Sequence, residues 1–219
     1  MPISKQTYGE QVVQYIKHAI RAGTLRPGDR ISEEQLAKEL SVSRAPIREA
    51  MQMLANEGVL VSAPHKGKRI TEMSPQEIRD SYFIGGALEG ALAASSLSAY
   101  TEDDFRRMGD ILERMRTSQQ DPVNVEMLEE LDNEFHGIIF SRTSSRMIVD
   151  IIRRSCQGVS KLLYYPRWKR LFSRSEVYER HQKIIDALRS GDVARIETTF
   201  RDHYNEIGER MSRSGREPG

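Results

Sequence analysis

Two groups of side chains in this 219-residue chain have the types and spacing to do chemistry. The first is Arg44 and Arg48, within Ser43-Arg44-Ala45-Pro46-Ile47-Arg48-Glu49-Ala50. A separation of four residues is about one helical turn, so both guanidinium groups leave the same helix face. Two planar forks at the leading end of a helix match guanine edges and phosphates in a DNA major groove. The second group is Asp132, His136, His181 and His203. Asp132 and His136 are again one turn apart. One carboxylate and three imidazoles suit Zn²⁺, Ni²⁺ or another borderline first-row cation, and helical bundles hold such sites between helices. Each residue also has a plain reading, because a lone histidine on a helix is more often a surface or satisfied core residue than a ligand. A catalytic zinc, activating water at an open position, is a further reading. Against it, the chain lacks a His-Glu-x-x-His motif, and Glu134, near Asp132 in sequence, faces a different direction.

The elements that must position the first group are short and well punctuated. Residues 7–22 read as a helix with Val12, Val13, Ile16 and Ile20 on one face, stopped by Gly23. After the turn Leu25-Arg26-Pro27-Gly28, Ser32 caps a second helix, and Gln35 completes a capping box. Leu36, Ala37 and Leu40 form its stripe. Ser41-Val42 is a tight connection. Ser43 caps a third helix that runs to about Glu57, turns Ile47, Ala50, Met51 and Leu54 inward, and stops at Gly58. Val59-Leu60-Val61 and Arg69-Ile70-Thr71 then flank a turn through Pro64-His65-Lys66-Gly67, a hairpin with a basic tip. His65, Lys66 and Lys68 are placed there to reach phosphates or a minor groove; a solvated loop is the alternative for the tip.

The second group requires a bundle. Met73-Ser74-Pro75 marks a boundary, with Ser74 as cap and Pro75 at the first helical position. Helical patterns follow near 75–99, 101–118, 122–141, 145–165, 173–189 and 192–212, with breaks such as Asp121-Pro122 and Ser190-Gly191-Asp192. His181 lies about ten residues before that last link and His203 about twelve after it. In an antiparallel pair rising about 1.5 Å per residue they reach the same level. The expected fold is therefore mostly α. A winged helix-turn-helix over 1–74 (three helices and a small β-hairpin) precedes an all-α, six- to seven-helix antiparallel bundle over 75–212, and a polar tail covers 213–219.

Bulk properties agree. The formal charge of +1 divides into +3 on residues 1–74 and −2 on the rest, which fits a local nucleic-acid surface. The single cysteine, Cys156, excludes an intramolecular disulfide and Cys-rich metal sites, and its apolar setting makes it a small core residue. No apolar run is long enough to span a bilayer, and no secretory segment opens the chain, so the expected location is the cytoplasm, with no membrane partner.

The chain resembles the GntR family of bacterial transcription regulators, in its FadR-like branch with an FCD-type effector domain. The likeness in the head runs through Tyr8-Gly9-Glu10-Gln11-Val12, Leu36-Ala37-Lys38-Glu39-Leu40, Val42 to Ala50 and Leu54-Ala55-Asn56-Glu57-Gly58. In the body it lies in Ala87-Leu88-Glu89-Gly90, Asp132-Asn133-Glu134-Phe135-His136, Glu179 to Ile184 and Arg201-Asp202-His203. The resemblance implies operator contacts from Ser43, Arg44 and Arg48, with His65, Lys66 and Gly67 at the wing. It implies a divalent metal on Asp132, His136, His181 and His203, and a homodimer reading a palindromic double-stranded DNA operator. A small carboxylate effector bound at the metal is implied too.

The chain departs from the family pattern where an arginine often stands three residues before the Leu-Glu pair. Gly85 and Gly86 are there instead, leaving room for a bulkier effector or permitting a bend. Arg153 or Arg154 is a candidate replacement cation, with exposure to solvent as the other reading. Two further functions remain open: a metal-independent acyl-CoA sensor, and a metallohydrolase fused to a DNA-binding head.

Overall fold

The structure, a computed structural model, describes residues 7–63, 67–117, 125–168 and 170–213. The chain divides into two compact units. One holds the residues through Ser74 together with Gln157–Pro166; the other holds Pro75–Cys156 and the residues from Arg167 onward.

In the first unit, helix α1 (Tyr8–Arg21) opens with a capping box between Thr7 and Glu10 and buries Val12, Val13, Ile16 and Ile20. Helix α2 (Glu33–Glu39) begins at Ser32, whose hydroxyl accepts the Gln35 N–H at 3.3 Å. The expected box is only half made, because Gln35 does not return the bond. Helix α3 (Arg44–Asn56) turns Ile47, Ala50, Met51 and Leu54 into the core. The α2–α3 link is a Schellman turn: Val42 N–H donates to Ala37 O at 3.1 Å, and Ser41 N–H to Lys38 O. Ser41 takes the left-handed conformation there (φ 54°), a position usually given to glycine. Gly58 does the same job after α3 at φ 83°, as the sequence pattern requires.

The wing is larger than a hairpin. Strands β1 (Arg30–Ile31), β2 (Leu60–Ala63) and β3 (Gly67–Ile70) form an antiparallel sheet in the order β1-β3-β2, with Arg30 opposite Arg69 and Leu60 opposite Ile70. A two-residue strand has too little periodicity to be seen in sequence. His65 and Lys66 lie outside the described residues, as do the Asp121-Pro122 break and the tail beyond residue 213.

In the second unit, α4 (Pro75–Ser95) lies against α11 (Val193–Arg213) at backbone distance. A Cβ on Gly86 would be 3.0 Å from Phe200 O, one on Gly90 would be 3.2 Å from Glu197 Cα, and one on Gly208 would be 2.9 Å from Tyr82 Cβ. These glycines let two helix axes approach closely, so the space they leave is occupied. Helix α5 (Glu102–Thr117) packs on α6 (Val125–Ser141) and on α10 (Arg174–Ser190), around Met108, Ile111, Phe135, Ile184 and Phe200.

The single helix expected near 145–165 is instead broken. It starts as α7 (Arg146–Ile152), widens into a π-helical stretch over Arg153–Ser160, and ends in the short α8 (Lys161–Leu163), followed by α9 (Tyr165–Trp168). The reason is a change of core. Cys156 is buried in the body, whereas Leu162 and Leu163 are buried with Ile16, Ile47 and Leu54, and the Tyr164 hydroxyl bonds Met73 N and O. One straight helix could not aim both sets. The stretch read as a continuous body over 75–212 is thus interrupted at 157–166.

Candidate functional site

At the start of α3 the local sequence leaves donors free. Ser43 stands at the N-cap position (φ −68°, ψ 166°), yet its side chain makes no capping bond. The residue at the third helical position, which would donate that bond, is Pro46, and it has no N–H. The expected cap is therefore absent. Arg44 and Arg48 follow with 58% and 65% of their side chains exposed, one turn apart, where a long polar duplex edge can reach them. Arg48 Nε donates to Glu33 Oε2 at 2.8 Å, and Arg44 Nη2 lies 3.6 Å from Glu34 Oε2. Gly67 begins β3 with φ +78°, and an added Cβ would stand 3.7 Å from Arg30 Nε. Lys68 follows in the same strand, half-buried. Arg30, an exposed cation beside the wing, was missed in the sequence because β1 was not visible there.

In the body, α6, α10 and α11 bring three imidazoles together. Ring nitrogens of His136, His181 and His203 all lie within 4.8 Å of one another, and all three side chains are buried. Asp132 Oδ1 is 3.1 Å from His181 Nε2 and 3.9 Å from His136 Nε2. The four residues proposed from spacing thus meet at one place. On two of the three rings Nδ1 is held. His181 Nδ1 is 2.7 Å from Val177 O, so it carries the proton and donates. His136 Nδ1 is 2.6 Å from Glu89 Oε1, and the Tyr204 hydroxyl donates to the other oxygen of Glu89.

This arrangement fits a divalent cation. In the neutral rings with Nδ1 protonated, the two Nε2 lone pairs would face the Asp132 carboxylate, and a cation among them would satisfy all three. His203 Nδ1 is buried with no hydrogen-bond partner among the described residues. Burial, helped by His181, Arg180 and His136, holds the His203 imidazole well below its usual pKa and so keeps it neutral, the form that ligates. The outer partners Glu89 and Val177 O fix tautomer and ring orientation, as metal-site histidines require.

Glu89 and Tyr204 were not singled out in sequence as parts of this site, although a glutamate inside Gly-Gly-Ala-Leu-Glu-Gly-Ala-Leu-Ala is itself a signal of a paired buried charge. The gap expected at Gly85 is filled. A Cβ there would come within 2.1 Å of Cys156 Sγ, so neither room for an effector nor a bend follows from this glycine. Arg153 and Arg154 are exposed, with Arg153 over the Phe140 ring at 5.8 Å. The cation beside the cluster is Arg180, which donates to His203 O and Glu206 and stacks 4.3 Å over Phe172. A cavity of about 220 Å³ opens next to His203 and is lined by Arg180, Lys183, Arg195 and Asp202 among others.

Comparison with known proteins bears on both sites. Residues 8–70 match the family described as "Bacterial regulatory proteins, gntR family", and residues 80–206 match the FCD domain. The HTH-type transcriptional repressor RspR of Escherichia coli strain K12 is 25% identical over 204 residues, which cover 93% of this chain and 89% of that protein. The HTH-type transcriptional regulator LutR of Bacillus subtilis strain 168 is 24% identical, with 88% and 96% covered. Among solved structures, Escherichia coli McbR/YncC superposes with a TM-score of 0.64 at 21% identity, covering 94% of this chain and 95% of that one. A Rhodococcus sp. RHA1 protein assigned as a GntR transcriptional regulator gives a TM-score of 0.70 at 20% identity, with 96% and 100% covered. At these identities the two solved structures speak for the fold.

Proposed function

Because the chain belongs to the gntR family of bacterial regulatory proteins, with an FCD domain as its body, it is a DNA-binding transcriptional regulator, and we propose that it is a repressor controlled by a small carboxylate bound at a divalent metal. Such regulators are not a class of enzyme, and no helix among the described residues is long and apolar enough to cross a membrane.

The observation that carries the DNA-reading half is the exposed pair Arg44 and Arg48 on the leading turn of α3. In this reading they meet base edges, and the unused Ser43 hydroxyl meets a phosphate. The wing residues His65, Lys66, Gly67 and Lys68 contact the adjoining backbone. Replacing each arginine by alanine removes about 1–3 kcal/mol of base discrimination. Specific binding at full strength by the Arg44→Ala/Arg48→Ala variant would sink this assignment.

For control, Asp132, His136, His181 and His203 would hold Zn²⁺ or Ni²⁺, supported by the convergence of the three imidazoles beside Asp132 and by His203 Nδ1, buried without a hydrogen-bond partner among the described residues. Bound there, the cation supplies an electrophilic position for a carboxylate oxygen. Arg180, Lys183 and Arg195 would supply positive charge for the rest of the anion, from a cavity wall beside His203 that Asp186, Asp202 and Glu206 also line. A cavity of about 220 Å³ with charged walls suits a small acid and disfavours a long acyl chain, so the acyl-CoA alternative has less support. Elemental analysis after chelator-free purification is the test. Metal well below one equivalent per chain counts against the site. The repressor assignment draws on the name given to RspR, and a reporter that rises when the gene is deleted checks it.

Homodimerisation is supported by apolar exposure on two neighbouring helices: Phe83 and Ile84 on α4, Met147 and Ile151 on α7. A twofold pair of α3 helices then reads a palindromic operator.

A further inference from the structure

We propose that Glu33 is a specificity-determining residue of the DNA-reading surface, holding Arg48 by its Nε so that the two Nη groups alone face the bases. This rests on the reading of Arg48 given above. Arg48 Nε donates to Glu33 Oε2 at 2.8 Å across 15 residues of sequence, and neither Nη nitrogen has a hydrogen-bond partner among the described residues. A guanidinium that meets guanine end-on offers two N–H groups to O6 and N7. Fixing Nε sets the plane of that fork before DNA arrives and removes rotamers that would swing it onto a phosphate.

Two plainer accounts of Glu33 are weaker. As a stabilising ion pair it does little, since Arg48 is 65% and Glu33 37% exposed and water screens them. As a favourable charge at the start of α2 it needs only to be there, and that accounts for its position but not for the aim of its oxygen. The neighbouring pair shows the difference, because Arg44 and Glu34 are 3.6 Å apart and Glu34 is 81% exposed. That contact is loose, and Arg44 keeps its freedom. A carboxylate close to the duplex also repels every phosphate alike. Glu33 therefore lowers affinity for arbitrary DNA while sharpening the choice made by Arg48.

The test uses the full-length protein and a duplex library randomised over about 20 base pairs, enough for two half-sites one helical turn apart. Sequencing the bound fraction gives a base preference at each position for the wild type, Arg48→Ala, Glu33→Ala and Glu33→Gln. Arg48→Ala identifies the base pair that Arg48 reads. Glu33→Ala is expected to lose about fivefold to tenfold of the preference at that same pair. It should bind an unrelated duplex at least as tightly as the wild type. Glu33→Gln keeps an oxygen to accept the Nε–H and is expected to restore the preference. The α2 cap belongs to Ser32, so both Glu33 variants should melt with the wild type. A wild-type profile for Glu33→Ala, a uniform loss on every duplex, or a Gln variant no better than Ala overturns the proposal. If Arg48→Ala itself leaves every preference intact, the reading of Arg48 falls first, and that result is distinct from a failure of Glu33 alone.

Discussion

Glu89 is 0% exposed, a burial that only partnered oxygens make tolerable. One oxygen accepts from His136 and the other from Tyr204, whose phenol is pushed well above its ordinary pKa by burial and then by the carboxylate, so it remains a donor. Replacing Glu89 by Leu removes both acceptor oxygens. His136 then loses its fixed tautomer, and metal affinity is expected to fall about 10–100-fold. Competition against a chelator of known affinity measures this, and an unchanged constant would show that His136 is oriented by something else. At this scale the one-turn spacing of Arg44 and Arg48 and the meeting of Asp132 with three histidines followed from residue type and spacing. The outer partner Glu89 was not, because 47 residues separate it from His136, and only packing joins them. Gly85 was open to misreading for a similar reason: its place is taken by Cys156, an unrelated residue on another element.

Helix ends were legible where a local rule decides them and illegible where a neighbour does. The start of α5 obeys such a rule: the Thr101 hydroxyl accepts the Asp104 N–H at 3.3 Å, and Asp104 Oδ2 accepts the Thr101 N–H at 2.8 Å. What the pattern could not reveal is that Asp104 is fully buried and also takes a bidentate pair from Arg142, at 2.8 Å from Nε and 2.7 Å from Nη2, tying the start of α5 to the residue just past α6. Arg142, with further help from Thr101, lowers the Asp104 pKa to about 2. An unfolded aspartate titrates near 3.9. The sign follows from the depression: the pair stabilises fully above about pH 5, and its contribution fades as the pH falls from there through about 2. Roughly 2 kcal/mol is at stake. Urea melts of the wild type and Asp104→Asn between pH 7 and pH 2 should differ by that amount at neutral pH and converge in acid. Equal stability at pH 7 would deny the pair its role. The π-helical widening over Arg153–Ser160 belongs to the second kind, since it answers to where the chain must go next.

For the molecule as a whole, the decisive arrangement is one reading head per chain and a body with an uncovered apolar face. If α4 and α7 pair with a second copy, Phe83→Glu/Met147→Glu should shift sedimentation from dimer to monomer. Operator affinity should then fall by about 10²–10⁴, because two tethered heads share a high effective concentration and two free ones do not. A variant that stays dimeric places the interface elsewhere.

The amino-acid order determined the things that depend on neighbours along the chain. These were the helical periods, the tight turn ahead of Arg44 and the one-turn spacing of Asp132 and His136. Each is set by residues within a turn or two of one another, where sterics and hydrogen bonding act directly. Tertiary packing decided what depends on residues far apart in sequence. It paired Glu33 with Arg48, put Glu89 behind His136, added β1 to the sheet, filled the space at Gly85 with sulfur, and drew 157–166 out of the body into the core of the head. Which apolar surfaces cover one another is a property of the folded whole, and no local pattern encodes it.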